Sequence, residues 1–438
     1  MLRTGKIGAA SVIAAAALAA SAAAASASPH HFFFDRGRDV VLVQSDYAAG
    51  NTVSVYDRER GGTLEFAGTY ATGGLGGALD GAVVDDLASE DSLVYDQDAS
   101  LLFAVNAGSN SVSVFAVRGD QLALTQQISS GGSFPVSLAR HGSLLYVVNA
   151  RAGGSLQGYV IAGDQLVPLA GSNRSLGLAS VTGPTEFVST PGEVGFSPDG
   201  RQLIVTTKSN GNDIDVYAVE PSGALSATAV VNSEPGTVPF GFVFDPFGRL
   251  AVTEAGTNAV ATFRLSPQGT ATNLASVATA QAATCWIVED GATLYASNAG
   301  GPSLSSISFE PWNGLTLLTN TTTDPGTVDA AVAPDGRFLY ARASERSSRC
   351  TTSTACAATR SARSCVSRRP ISASSCTAGA ATCDRRSNPR SERMTDAADP
   401  RHRLRAGRRA GQRLPGRRAL TPRAPPLRAP SRGLPPLQ

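Results

Sequence analysis

The chain has 438 residues, and its formal net charge of +2 hides two regions of opposite sign. Residues 1–340 hold 15 basic and 30 acidic side chains, whereas residues 341–438 hold 22 arginines and five acidic side chains. The acidic balance of the longer region argues against a nucleic-acid surface there, and the change of sign indicates that the two regions need separate explanations.

The first 28 residues have the pattern of an export signal. Arg3 and Lys6 precede an apolar run from Ile7 to Ala20, and a small Ala-Ser-Ala segment follows at residues 25–27. The apolar run is shorter than the roughly 20 residues that span a bilayer. We therefore predict a signal peptide over residues 1–28, a short leader over 29–39, no membrane span, and a secreted, extracellular protein.

A strand–turn–strand pattern recurs from residue 40 to residue 340. Its clearest copy is Leu101–Val117, LLFAVNAGSNSVSVFAV, in which apolar residues alternate on both sides of an Asn/Gly/Ser turn. The copies recur about every 45 residues, with two longer insertions, and each has room for four short strands. Equivalent points in the copies are Val43, Phe103, Tyr146, Ile204, Ala251, Tyr295 and Tyr340. The sequence therefore predicts an all-β, seven-bladed β-propeller of four-stranded blades over 40–340, with an incomplete last blade.

The repeat pattern stops at Tyr340, inside a repeat. Five of the six cysteines follow, in a sequence rich in Arg, Ala, Pro and Ser. Three interpretations of residues 341–438 stay open: a basic disordered tail, a small cysteine-rich module, and a reading frame that slipped near codon 341. We favour the frameshift, because charge and cysteine usage change at one point within a repeat, and such a tail would be disordered. The first repeat also lacks an inner strand, so we expect a poorly closed ring.

The repeats resemble those of the lactonase-type β-propellers, a family with YVTN-type repeats that includes 6-phosphogluconolactonases and 3-carboxymuconate cyclase-like proteins. The resemblance implies a central channel that handles an anionic substrate with His, Arg and Glu side chains. Two features depart from it, because residues 134–137 replace a His-rich motif and arginine is scarce before residue 341. The segments that carry the resemblance are LLFAVNAGSNSVSVF (101–115), FPVSLARHGSLLYVVNA (134–150), GEVGFSPDGRQLIVTTKSNGNDIDVYAV (192–219), PFGFVFDPFGRLAVTEAG (239–256), CWIVEDGATLYASNAG (285–300) and APDGRFLY (333–340).

Four candidate site residues, Glu193, Phe240, Trp286 and Asp329, lie where the predicted inner strands begin, because inner strands line the axis of a propeller. Glu193 and Asp329 are the candidate catalytic carboxyls. His141, just before a Gly and a strand, is a weaker third candidate, and Lys208 and Glu254 end equivalent strands in neighbouring blades. Each has a structural alternative: a solvated rim carboxyl, a packed aromatic ring, a surface ion pair of Lys208 with Glu254, or a turn histidine. The candidate ligand contacts are Phe240, Trp286, Lys208 and Glu254.

Three functions stay open for such a protein. The first is binding of a small lactone or sugar acid, or of a partner, at the central channel. The second is a lactone hydrolase or cycloisomerase that uses the channel carboxylates, and the third is a truncated product without function. We expect a monomer with no nucleic-acid partner, no cofactor and no metal. The acidic residues between Asp80 and Asp98 lack the spacing of a Ca²⁺ loop, which predicts a solvated acidic loop.

Overall fold

The computed structural model describes residues 40–291, 293–310, 312 and 314–343, and the backbone of the strand Thr354–Ala357. All of these residues lie in one unit of the chain, Met1–Pro370. The predicted signal peptide and leader, and all but a few residues of the predicted tail, lie outside the described residues. Their assignments stay predictions.

The described strands form antiparallel sheets, each built from strands that follow one another along the chain. Sheet 1 contains β1 (Val40–Gln44), β2 (Thr52–Arg58) and β3 (Leu64–Ala71). Sheet 2 contains β4 (Leu93–Asp96), β5 (Leu101–Asn106), β6 (Ser111–Arg118) and β7 (Gln121–Ser129). Sheet 3 contains β8 (Pro135–His141), β9 (Leu144–Asn149), β10 (Ser155–Ala162) and β11 (Gln165–Pro168), and the short β12 (Arg174–Ser175) also pairs with β10.

Four further sheets follow in the same way. Sheet 4 contains β13 (Glu193–Phe196), β14 (Gln202–Thr206), β15 (Asp213–Ala218) and β16 (Val230–Ser233). Sheet 5 contains β17 (Pro239–Phe244), β18 (Leu250–Glu254), β19 (Ala259–Leu265) and β20 (Ala271–Ala278). Sheet 6 contains β21 (Thr284–Asp290), β22 (Thr293–Asn298), β23 (Ser303–Phe309) and β24 (Leu315–Thr322). Sheet 7 contains β25 (Thr327–Val332), β26 (Phe338–Ala343) and β27 (Thr354–Ala357).

The prediction of an all-β propeller is confirmed. The described helices are only a 3₁₀ turn, Ala107–Ser109, and one short helix, α1 (Lys208–Gly211). Sheets 2 to 7 each begin with an inner strand, and sheet 1 begins at the position of a second strand. That the ring has seven blades, and that its last blade is incomplete, stay predictions. Among the described residues, no helix has the length and apolarity to cross a membrane.

The repeat folds as its sequence indicates. In the Leu101–Val117 segment, β5 is buried along its whole length, and it pairs in register with β6 from Leu101 opposite Ala116 to Asn106 opposite Ser111. The turn between them needs a left-handed residue, which is Asn110 with a φ of 52°. Asparagine adopts this conformation more readily than most residues.

Side-chain packing joins sheet 1 to both of its neighbours in the ring. Leu42 of β1 shares an apolar cluster with Leu102 of sheet 2, and Val41 shares another with Tyr340 of sheet 7. The Tyr340 hydroxyl also donates to the Gly62 carbonyl at 3.0 Å. Sheets 1 and 7 nevertheless share no strand among the described residues. In these residues the ring therefore closes through packed side chains and not through a common sheet.

Candidate functional site

The inner strands place one residue of each sheet at an equivalent point beside the channel. The pairing of inner with second strands aligns Leu138, Val194, Phe242, Ile287 and Ala330 in sheets 3 to 7. The residue before each of these belongs to what we call the channel ring. Its members are Ser137, Glu193, Gly241, Trp286 and Asp329. Three of the residues predicted from sequence, Glu193, Trp286 and Asp329, therefore occupy the same position in successive sheets.

Side chains of the channel ring accept backbone N–H groups of the neighbouring inner strands. An inner strand pairs with its sheet along one edge, so the N–H groups of the other edge face the channel, and a buried N–H without an acceptor is costly. Ser137 accepts the N–H of Val194 through Oγ at 3.1 Å, and Glu193 accepts the N–H of Phe242 through Oε2 at 2.6 Å. Ser137 and Glu193 thus each cap the inner strand of the next sheet.

Gly241 departs from this pattern, because it has no side chain that could accept the Ile287 N–H. The acceptor is instead Glu90, whose Oε1 lies 3.1 Å from the Ile287 nitrogen. A Cβ on Gly241 would lie only 2.0 Å from Glu90 Oε2, so the glycine is what makes room for this carboxyl group. Glu90 is fully buried, and the prediction that its acidic stretch is a solvated loop is wrong for the residues around it.

Glu90 belongs to a segment, Asp85–Asp91, that crosses the channel; we call it the strap. The Glu90 N–H donates to the carbonyl of Gly192, directly before β13 of sheet 4, at 3.0 Å, and the Asp91 carbonyl accepts from Leu138 of sheet 3 at 2.8 Å. The Ser89 carbonyl accepts from the Trp286 indole of sheet 6 at 2.8 Å. The strap therefore bonds at the inner strands of three different sheets.

The carboxyl groups of Glu90 and Glu193 lie close enough for each to shift the pKa of the other. Two carboxyls this close favour a state with one proton between them, because both cannot ionise at low cost. Burial is the largest cause that raises both pKa values well above the usual range, and the negative charge of a neighbouring carboxyl raises them further. Burial also raises the pKa of Asp329 to about 7.

An aromatic wall and a buried cation stand beside the carboxyls. The rings of Phe240 and Trp286 meet edge to face with centroids 4.8 Å apart, in a cluster with Cys285 and Val328. The Lys208 ammonium lies 5.3 Å from the Phe240 ring centroid and donates to the Ala88 carbonyl at 2.7 Å. Lys208 is buried, which lowers its pKa to about 7. The surface ion pair with Glu254 that the sequence left open does not form.

One side of the cluster reaches solvent. Asp329 and Arg342 are partly exposed, and an Arg342 Nη1 lies 3.8 Å from Asp85 Oδ1, a long contact for an ion pair. The Arg342 Nε is buried and has no hydrogen-bond partner among the described residues.

Glu254 and His141 lie apart from this group. Glu254 ends β18, where its Oε2 accepts from the Thr257 hydroxyl at 2.9 Å and burial raises its pKa. His141 ends β8 at the opposite end from the channel ring and packs against Phe196, with ring centroids 5.6 Å apart. Burial, followed by the charge of Arg140, lowers the pKa of His141. The structure does not bring either residue together with Glu193 and Asp329.

Among the described residues, no group of three or more His, Cys, Asp or Glu side chains has a geometry that could hold a metal ion. Cys285 is a buried free thiol, and burial raises its pKa to about 12. The thiolate, which is the reactive form, is therefore scarce at neutral pH.

A family model described as "Lactonase, 7-bladed beta-propeller" matches residues 11–165. Over residues 11–165 the chain is therefore similar to the lactonase-type β-propeller family. The search of curated proteins gave no match.

Solved structures share the propeller fold. A proposed 6-phosphogluconolactonase from Bacteroides fragilis is 18% identical, with a TM-score of 0.56 over 72% of this chain and 93% of that one. The periplasmic gluconolactonase PpgL of Pseudomonas aeruginosa is 20% identical, with a TM-score of 0.55 over 72% of this chain and 95% of that one. A Lactobacillus plantarum protein is 20% identical, with a TM-score of 0.53 over 68% and 90%. At these identities the similarity shows the fold alone.

Sequence reasoning missed Glu90 and Arg342. Glu90 lies in a long loop without periodicity, and its partner Ile287 is 197 residues away. Arg342 follows the predicted boundary at Tyr340, whereas β26 runs on to Ala343. One signal was available for Glu90: the equivalent positions Glu193, Trp286 and Asp329 carry side chains and Gly241 does not, which marks a space that another segment fills.

Proposed function

We propose that the protein is a secreted propeller that binds a small lactone or sugar acid in its central channel. The observation that carries the proposal is the partly exposed Asp329, which follows Val328 in the apolar cluster that contains Phe240 and Trp286. Aromatic faces pack against the apolar faces of sugar rings, while a carboxyl group binds hydroxyl groups. The proposal includes a ring of seven blades, which the seven described sheets and the family match support, and a monomeric state.

Binding is favoured over hydrolysis by the state of the two paired carboxyls. A general base has to reach a water molecule at the substrate. Glu90 and Glu193 are 0% and 2% exposed, and both already accept backbone N–H groups. Their first role is therefore to cap the inner strands, and this role needs no turnover.

Lactone hydrolysis is the second candidate, and one observation favours it. Glu90 and Glu193 share a proton, so one can act as an acid while the other acts as a base. Release of acid from D-glucono-1,5-lactone, followed in a pH-stat against the spontaneous rate, tests this candidate. A rate above background that Glu193→Gln abolishes would support hydrolysis, and an unchanged background rate would exclude it for this lactone.

Titration calorimetry with gluconate and with D-glucono-1,5-lactone tests binding. We expect Asp329→Asn and Trp286→Leu each to weaken the affinity about tenfold, which corresponds to about 1.4 kcal/mol. Glu254→Gln is the matched control, because it removes a buried carboxyl that lies outside the group. Failure of both ligands to bind, or equal losses in Asp329→Asn and Glu254→Gln, would contradict the proposal.

We further propose that residues 341–438 come from a shifted reading frame. The support is that the repeat pattern, the charge and the cysteine usage all change at Tyr340. Translation of the gene in the other two frames after codon 340 is expected to reveal the missing strand pair. If neither frame encodes alternating apolar residues, the frameshift is excluded.

A further inference from the structure

The strap fills the place that a ligand would need. Glu90 projects a carboxyl group into the space over Gly241, where it meets the Ile287 N–H and the carboxyl of Glu193. Ser89 covers the polar edge of the Trp286 indole. In this arrangement a carboxyl group from the chain itself makes the contacts that a carboxylate or carbonyl from a ligand would otherwise make.

We propose that the strap Asp85–Asp91 is a withdrawable, autoinhibitory closure of the channel, with Glu90 acting as a tethered carboxyl ligand. The inference rests on the proposed binding function for its ligand, and it adds how the site is regulated. A sugar acid and Glu90 then compete for one position, and binding requires the strap to leave.

The backbone of the strap supports a segment that can leave. Ala88 and Asp91 bracket its inserted part, and both adopt left-handed conformations, with φ values of 47° and 69°. Such conformations are uncommon for residues other than glycine and store strain when they occur. The strap also belongs to a connection of more than 20 residues between β3 and β4, and loops of this length without secondary structure often act as lids.

Charge makes the closure sensitive to pH. At low pH the proton shared with Glu193 holds Glu90 in place. At high pH the carboxyls of Glu90, Glu193 and Asp329 ionise and repel one another. Lys208 loses its charge near pH 7 and then no longer attracts Asp85 of the strap. Arg342 stays charged and opposes release. The groups that face Glu90 or its close neighbours are Glu193 from β13, Asp329 from β25, Arg342 from β26, Lys208 from α1, Cys285 from β21 and Asp85 from the strap itself.

Fluorescence of Trp286 reports strap position without any ligand. The chain has two tryptophans, and Trp312 is 90% exposed, so Trp312→Phe leaves the channel indole as the only tryptophan emitter. In this background we expect the acrylamide quenching constant to rise about threefold or more between pH 5 and pH 8.5 as the strap withdraws. Adding Glu90→Gln keeps an acceptor for Ile287 but removes the charge, so quenching is expected to stay low at both pH values. Glu254→Gln is the control and is expected to behave like the background.

Circular dichroism at both pH values shows whether the propeller stays folded. Quenching that does not change with pH, or that rises equally in the Glu90→Gln variant, would contradict the proposal that the strap withdraws. A separate arm measures gluconate binding at pH 6, where Glu90→Ala is expected to raise the affinity about tenfold by vacating the pocket. If gluconate binds more weakly or equally, Glu90 is not a competitor. If gluconate binds to none of the variants, the proposal that gluconate is the ligand is contradicted. The quenching result then still tests whether the strap withdraws.

Discussion

At two junctions between sheets of the propeller, an inner-strand N–H that faces the channel receives its acceptor from different parts of the chain. At the junction of sheets 3 and 4, Ser137 caps the exposed N–H of Val194 from its own place in the channel ring. At the junction of sheets 5 and 6, Gly241 has nothing to offer Ile287, and Glu90 of the strap supplies the acceptor from another part of the chain. The first solution is local and fixed. The second makes an inner strand depend on a loop, and so ties the stability of the propeller to the state of its channel.

Among the predictions, Gly241→Ala is expected to destabilise the junction of sheets 5 and 6 most. The new methyl group would meet Glu90 Oε2 at 2.0 Å and the Cys285 carbonyl at 2.8 Å, so the strap has to move and Ile287 loses its acceptor. We expect the free energy of unfolding, measured in urea, to fall by about 3 kcal/mol. Gly50→Ala is the control, since nothing lies within 4 Å of its added Cβ. A loss for Gly241→Ala no greater than that for Gly50→Ala would show that the glycine does not make room for Glu90.

Alanine substitutions at the two caps compare the junctions directly. Glu90→Ala leaves the Ile287 N–H without its acceptor and also loses the contact with Glu193, and we expect a loss of about 2 kcal/mol at pH 5. Ser137→Ala removes one neutral acceptor from Val194, and we expect about 1 kcal/mol. Urea unfolding of both variants at the same pH measures the difference. Equal losses would mean that the strap contributes no more than a local hydroxyl.

The third prediction concerns pH. Glu90, Glu193 and Asp329 all have pKa values in the folded protein that are raised above those of the unfolded chain. Between the two pKa values the folded state binds more protons, so the free energy of unfolding falls as pH rises from about 4 through 7. Lys208 acts in the opposite sense above pH 7, because its pKa is lowered to about 7.

The Glu193→Gln variant tests whether the Glu90–Glu193 pair causes this pH dependence of the free energy of unfolding. Its amide oxygen can still accept the Phe242 N–H, and its amide group can donate to Glu90, while the shared proton is gone. We expect a shallower fall in stability between pH 5 and pH 7 than in the parent, measured by urea unfolding at fixed ionic strength. A slope as steep as that of the parent would place the pH dependence elsewhere, for example at the buried Asp46 or Asp215, whose pKa values are each raised to about 7.

Sequence reasoning predicts the positions of site residues that lie within the repeats, but not of those outside them. Aligning the strands put Glu193, Trp286 and Asp329 at inner-strand entrances, and the structure places them at one equivalent position, because the register of a repeat carries over to every sheet. His141 lies on an inner strand as well, but strand direction puts it at the far end. The strap has no repeat partner, so neither the burial of Glu90 nor its contact with Ile287 can be inferred from periodicity.

The same limit applies to Lys208 and Arg342. Lys208 was predicted to end a strand, but β14 ends at Thr206 and Lys208 begins α1. Its burial depends on Ala88 of the strap and on Phe187 of a second long loop. Arg342 comes after the point where the repeat pattern fails, and only three-dimensional pairing shows that its strand continues. In both cases the missing information is a long-range contact with a segment that has no periodic pattern.

The account depends most directly on the bond from the Ile287 N–H to Glu90. Amide hydrogen exchange of Ile287, measured by NMR at pH 6 in the parent and in Glu90→Ala, tests this bond. We predict strong protection in the parent, comparable to that of Phe242, and selective loss of protection at Ile287 in the variant. An Ile287 amide that exchanges freely in the parent, or that stays protected in Glu90→Ala, would contradict the role given to the strap.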